Sequence, residues 1–180
     1  QMDKWVKFCE ENKIILIEDC AQAHLATWQG KVSGSFGQAG AYSFYPTKNL
    51  GAVGDAGMLV TSDSTLAKKA RRLRNYGQSE RYLHPVIGMN SRLDEVQAAM
   101  LSERMKWLLE FTKRRRQIAD KYHSKIDNPY VKLLIKPEQK SAHVYHLFVI
   151  TCLQRDALQT HLLKKGVQAL IHYPIPVHQQ

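Results

Sequence analysis

Ala41-Tyr-Ser-Phe-Tyr-Pro-Thr-Lys-Asn-Leu-Gly-Ala-Val-Gly-Asp-Ala-Gly57 is the stretch on which the reading of the chain turns. Its order is an apolar run, a proline, a lysine and then glycines. Ala41 to Tyr45 mixes small and aromatic residues with Ser43, which predicts a strand, and Pro46 ends it because proline has no N–H to give to a ladder. Lys48 therefore stands on a loop leaving a strand end. Gly51, Gly54 and Gly57 permit tight turns beside it before a second strand-like run, Met58 to Thr61. Two readings of Lys48 are open. One is an exposed loop lysine, the ordinary fate of a single lysine. The other is an amine kept partly desolvated so that it can deprotonate and form a Schiff base, since lysine pKa falls readily on burial.

An upstream acid would separate the two readings, and Asp19 is the candidate. Ile14-Ile-Leu-Ile-Glu-Asp19 is an unbroken apolar run ending in two carboxylates, which predicts a strand buried on both faces of a parallel sheet with its acids at the carboxyl end. Ligands of open α/β sheets sit at that end. A carboxylate there is suited to keep a proton on a pyridine nitrogen, as pyridoxal phosphate requires to act as an electron sink. The competing reading of Asp19 is a helix or turn cap.

Glu18-Asp-Cys-Ala-Gln-Ala-His24, Gly34-Ser-Phe-Gly37, Ser43-Phe-Tyr-Pro-Thr-Lys-Asn-Leu-Gly51 and Gly54-Asp-Ala-Gly57 together resemble the DegT/DnrJ/EryC/StrS family of pyridoxal-phosphate sugar aminotransferases. The resemblance continues through Leu73-Arg-Asn-Tyr-Gly77, Gly88-Met-Asn-Ser-Arg-Leu-Asp-Glu-Val-Gln-Ala-Ala99 and His172-Tyr-Pro-Ile-Pro-Val-His178, and so covers nearly the whole chain. It implies Lys48 as the Schiff-base lysine and Asp19 as the partner of the pyridine nitrogen. It implies Gln22 against the cofactor ring and its phenolic oxygen, and Ser43 on the cofactor phosphate. Asn90 matches an asparagine that reaches the phosphate of a neighbouring subunit's cofactor, which implies a homodimer. On the residues alone Ser43 also reads as a strand serine and Asn90 as a loop asparagine. The same resemblance brings Arg92 toward the carboxylate of the amino donor, although an arginine paired within the fold reads equally well, and it brings His172, Tyr173 and His178 toward substrate.

Composition is that of a globular chain. The 180 residues are 44% hydrophobic and 23% charged, enough for a sizeable core. Cys9, Cys20 and Cys152 are odd in number and lack a Cys-x-x-Cys pair, which argues against a disulfide framework or a zinc site and fits a reducing, cytoplasmic setting. The residues show no signal-peptide pattern and no apolar run of membrane-spanning length, so neither is expected. The net charge of +10 and pI near 9.6 invite a nucleic-acid reading. The basic residues Lys68, Lys69, Arg71, Arg72 and Arg74 are not interleaved with stacking aromatics, so a solvated helix face is preferred, with steering of an anionic nucleotide sugar as a further effect.

The rest of the chain supplies the frame. Met2 to Lys13 predicts a helix, Thr27 to Gly34 a hairpin around Gly30, and Ser62 to Tyr76 a helix capped by Ser62 or Asp63. His24 reads as a structural histidine near the site. Ser91-x-x-Asp94 suggests a capping box opening one long helix from about 91 to 126, with Glu110 and Arg114 spaced to pair. Asp127-Asn-Pro129 places a domain boundary. Beyond it the pattern predicts strands 130–135, 143–151 and 167–172 and a helix Arg155 to Lys165 stopped by Gly166. On a strand, His143 and His146 would face opposite ways, which makes a metal site improbable.

The expectation is an α/β, fold-type-I chain. Residues 1–127 form part of a large, mainly parallel cofactor domain that includes the linking helix, and 128–180 form part of a small α+β domain. The abrupt start and finish suggest a fragment lacking N- and C-terminal parts. The implied activity is transfer of an amino group, from glutamate by resemblance, to a nucleotide-linked keto-sugar, with no nucleic acid, membrane or metal involved. A same-fold sugar dehydratase, in which histidine replaces the lysine, a non-catalytic regulator, and a fragment inactive on its own because the missing segments leave the pocket open are the alternatives.

Overall fold

A computed structural model describes residues 1–180. Helix α1 (Met2–Glu11) leads into strand β1 (Ile17–Asp19), the hairpin β2 (Thr27–Trp28) and β3 (Lys31–Val32), strand β4 (Ala39–Ser43) and strand β5 (Gly57–Val60). The main sheet has the order β1-β4-β5: β1 runs parallel to β4, and β4 is antiparallel to β5. Helices α2 (Ser64–Leu73), α3 (Glu95–Met105) and α4 (Leu108–Lys125) follow. A short pair, β6 (Lys132–Leu133) and β7 (Ile150–Thr151), then precedes helix α5 (Arg155–Lys164).

The chain divides into two units. The first comprises Gln1–Asp120 with Pro137–Leu147, and the second Lys121–Lys136 with Phe148–Gln180. The core of the first gathers Phe44, Leu50, Ala52, Leu101 and Leu108, flanked by Leu25, Tyr42, Ala56 and Leu93. Phe44, Leu50 and Ala52 bracket the lysine of the quoted stretch, so the segment that carries it is nailed to α3 and α4 by apolar burial. Truncating a buried leucine such as Leu50 to alanine costs about 2–5 kcal/mol. In the second unit Phe148 packs on the rings of Tyr122 and His123, at centroid distances of 4.9 and 5.1 Å.

Several elements match the expectation, and their local chemistry is visible. Asp63 caps α2 by accepting from the N–H groups of Thr65 and Leu66. Gly166, at φ +77°, stops α5 in the left-handed region that favours glycine. Others are corrected. The strand expected from Ile14 is only Ile17–Asp19, with β4 on one side alone, and Ile17 is 66% exposed rather than buried on both faces. Residues 91–126 are not one helix. Asn90 bridges Asn75 and the Ser91 N–H donates to the Arg74 carbonyl, so α3 starts at Glu95, with Asp94 at the cap position. The Lys106 and Trp107 N–H groups then reach back to Glu103 and Arg104, tightening the turn and separating α3 from α4.

Glu110 pairs with Lys113 at 3.9 Å, not with Arg114. Segment 143–149 is not a strand, because its first carbonyls are taken by side chains. Arg115 donates to the carbonyls of Tyr145 and His146, and Arg116 to those of Ser141 and His143. Residues 167–172 find no ladder partner, and the Ala169 carbonyl instead accepts from Gln159.

Candidate active site

The turn that presents Lys48 is closed at its neck. Phe44 accepts the Ala52 N–H at 2.7 Å and donates to the Ala56 carbonyl at 2.8 Å, while the Lys48 N–H donates to the Tyr45 carbonyl at 2.8 Å. Gly51 is required here by contact: a Cβ on it would stand 2.3 Å from the Pro46 oxygen. The side chain of Asn49, next to the lysine, is only 5% exposed. It donates to the Val144 carbonyl at 3.2 Å and meets Nδ1 of His146 at 3.1 Å, so residues far along the sequence brace the turn from behind. Arg115 and Arg116 hold those residues by their carbonyls, as described above. On the other flank Gln97 straddles Gly54, accepting the Val53 N–H and donating to the Asp55 carbonyl, both at 3.2 Å.

Strand alternation places the polar groups. Asp19 is paired in register with Ala41, and Ser43 is the next residue of β4 on the same face. A carboxylate, a methyl and a hydroxyl therefore share one face at the carboxyl end of β1, and the Lys48 turn leaves from that same end of β4. Asp19 is exposed and its Oδ1 accepts the Ala21 N–H at 2.9 Å, so it also closes a turn. Ser43 Oγ accepts the Tyr45 N–H at 3.2 Å, which leaves its own O–H to donate. Glu18, on the opposite face, is buried and satisfied by three backbone donors: Gly34, Phe36 and Gly37 at 2.7, 2.7 and 2.8 Å. That anchor fixes the pleat of β1 and with it the outward direction of Asp19.

His24 lies beside this turn. It is 4% exposed, its two ring nitrogens meet no hydrogen-bond partner, and its ring packs at 5.2 and 5.7 Å from Tyr42 and Phe44. Burial, followed by the charges of His146 and Lys48, lowers its pKa from 6.5 to about 4. The imidazole is therefore neutral at pH 7 and adds no charge next to Lys48. Burial likewise pushes up the Cys20 thiol, beside Asp19, and the Tyr42 phenol, which donates to the Ser33 carbonyl.

The residues present fit pyridoxal phosphate. The acid and the hydroxyl flank Ala41 on one sheet face, and Ala41 is an exposed methyl that leaves the space above it open to a flat ring, where a larger side chain would fill it. Gln22 is exposed in the turn after β1. Asn90 and Arg92 form a separate cluster with Asn75 and Tyr76: Arg92 donates to the Asn90 and Asn75 side-chain oxygens at 3.2 and 3.3 Å. His172 and Tyr173 are exposed in the second unit, apart from the unit that carries Lys48. On sequence alone Asn49 and Gln97 take no role, and Arg115 and Arg116 fall in a basic block on the exposed side of a helix, whereas both arginines reach carbonyls of Ser141 to His146. Asn49 and Gln97 sit inside quoted motifs and could have been singled out as polar residues at positions flanked by core. Nothing local marks the two arginines.

The sequence model of the DegT/DnrJ/EryC1/StrS aminotransferase family matches residues 1–180. A dTDP-3-amino-3,6-dideoxy-alpha-D-galactopyranose transaminase of Aneurinibacillus thermoaerophilus is 50% identical over 165 residues, covering 92% of this chain and 45% of that protein. A pleiotropic regulatory protein of Geobacillus stearothermophilus is 40% identical over 99% of this chain and 49% of its own length. Among solved structures, the crystal structure of S. venezuelae DesV in complex with a ketimine intermediate superimposes with a TM-score of 0.95 at 41% identity, over 100% of this chain and 48% of that one. The chain spans about half the length of the curated relatives it matches.

Proposed function

The chain belongs to the DegT/DnrJ/EryC1/StrS aminotransferase family, and from that premise we propose that it carries the lysine-bearing part of a pyridoxal-phosphate site for transamination of a nucleotide-linked keto-sugar. One observation carries the reading: Asp19, Ala41 and Ser43 share a sheet face at the end from which the braced Lys48 turn departs. Relatives named as dTDP- and UDP-sugar aminotransferases support the substrate class. A related structure described with bound pyridoxamine phosphate supports the cofactor.

Pyridoxal phosphate, when bound, supplies the electron sink that allows an amino group to leave one carbon and be delivered to another. Lys48 would hold it covalently through Nζ and, with its amine free, would move the proton from the donor's carbon. Asp19 would keep the proton on the ring nitrogen and Gln22 would lie against the ring, while Ser43 would donate to the phosphate of that cofactor and Asn90 to the phosphate of the neighbouring subunit's cofactor. The amino donor is glutamate, the working assembly a cytoplasmic homodimer, and His172 and Tyr173 approach the substrate. The chain has no helix long and apolar enough to cross a membrane. Lys48 argues against the dehydratase alternative, whose members carry histidine there. The relative named as a regulator leaves the transaminase reading preferred, because Lys48 and Asp19 are both in place.

Borohydride reduction of the full-length protein with pyridoxal phosphate, followed by peptide mass mapping, tests this directly. A phosphopyridoxyl group on Lys48 is expected. Its absence there would overturn the reading.

A further inference from the structure

The cluster around Arg92 has a defined polarity. Segments 73–77 and 88–91 are laced together: the Tyr76 N–H donates to Met89, that of Met89 to Leu73 and that of Ser91 to Arg74, at 2.9, 2.9 and 2.8 Å. Asn75 and Asn90 face each other across an isolated antiparallel bridge. Their side chains thus leave from fixed points. The Arg92 guanidinium lies 5.3 Å from the Tyr76 ring centre, donates through Nε to the Oδ1 of Asn90 at 3.2 Å, and donates through Nη1 to the Oδ1 of Asn75 at 3.3 Å.

A guanidinium carries donors and no acceptor. Whichever amide it holds must turn its oxygen inward and its NH2 outward. The Asn75 NH2 is then consumed by Gln78 Oε1 at 3.1 Å. The Asn90 NH2 meets no acceptor within the chain and is exposed. An asparagine left to itself presents oxygen or NH2 with little preference, and only NH2 can approach a phosphate dianion, whose surface is all acceptor.

We infer that Arg92 is a positioning residue: by holding the Asn90 oxygen it locks the amide with its NH2 outward, toward the phosphate monoester of the neighbouring subunit's cofactor. This rests on the role given to Asn90 above and gives Arg92 a different task from contacting the amino donor's carboxylate. Arg92 acts through Asn90, not as a free cation.

The test measures equilibrium binding of pyridoxamine phosphate and of pyridoxamine to the full-length protein, in Arg92→Leu, Arg92→Lys, Asn90→Ala and the Arg92→Leu/Asn90→Ala double variant. Folding is checked by circular dichroism, and KM for the amino donor is measured alongside. Arg92→Leu should weaken pyridoxamine phosphate about tenfold, as expected for one charge-assisted hydrogen bond. It should leave pyridoxamine and the donor KM unchanged, and add nothing in the Asn90→Ala background. Arg92→Lys, a point donor able to hold one oxygen, should fall between wild type and Arg92→Leu. An Arg92→Leu effect that persists undiminished in the Asn90→Ala background overturns the inference. So does a raised donor KM with unchanged cofactor affinity, which would make Arg92 a carboxylate binder. If Asn90→Ala weakens the phosphate form and Arg92→Leu does not, the inference alone fails. If Asn90→Ala is itself silent, the assignment of Asn90 falls and takes the inference with it.

Discussion

Around Lys48 the chain is fixed from every side: Phe44 and Ala52 close the neck, Gly51 presses on Pro46, Asn49 reaches Val144 and His146, and Gln97 straddles Gly54. Around His172 it is not. Residues 167–178 form no ladder, and their side chains are largely exposed, Tyr173 at 74%. Both stretches carry motifs of the same family. A motif therefore records which residues a site needs, whereas packing decides which of them are held in advance. The first stretch is a preformed turn, built on core. The second offers side chains without a scaffold of its own within this chain.

The sharpest way to break that contrast is at its reactive centre. Lys48→Ala should remove covalent cofactor attachment and lower turnover about 10⁴-fold or more, at the upper end of what one acid–base residue supplies. A phosphopyridoxyl adduct that survives would place the reactive amine elsewhere. The next effect is on stability and comes from His24. Its folded pKa, about 4, lies below the 6.5 of the unfolded chain. Between those values the unfolded state binds more protons, so stability rises with pH across the window, is fully present above about pH 6.5 and is lost as pH falls toward 4. The loss is on the order of 3 kcal/mol. Urea titrations at pH 5 and 7 should show this slope in the wild type and a flatter one in His24→Phe.

Asn49→Ala tests the brace. It strands a buried carbonyl at Val144 and a partner of His146, a cost of about 1–3 kcal/mol measurable as a lower urea midpoint. A neutral result would mean that the turn stands without support from residues 144–146. The smallest effect belongs to the other region: Tyr173→Ala should change stability by less than about 0.5 kcal/mol, as for an exposed side chain with no special contact. A larger loss would show that residues 167–178 are packed after all, and the contrast would close.

The parts of this architecture that could be read from sequence are those written locally. The hairpin at 27–34, the Asp63 cap and the Gly166 stop each depend on a few adjacent residues and stand where expected, while the strand before the lysine forms earlier, as Ala39–Ser43, and ends before Pro46 is reached. That Asp19 and the Lys48 turn share one sheet end was legible because the two residues follow successive strand-like runs. What escaped was decided at a distance. Ser91 looks like a cap but its N–H is spent on Arg74. Segment 143–149 looks like a strand but its carbonyls are claimed by two arginines on α4. The apolar run at 14–19 looks doubly buried, yet only β4 pairs with it. In each case a long-range partner outbid a local preference, and no window of neighbouring residues contains that partner.

Strand β1 also has a practical side. One of its edges lies on β4, while the other offers unpaired backbone groups flanked by Ile14, Ile15 and Ile17, all substantially exposed. An open apolar edge of that kind is a template for intermolecular strand addition. In the test tube these 180 residues should be prone to self-association that deepens with concentration, and a charged substitution at Ile15, which lies outside the ladder, is the simplest change to keep them dispersed.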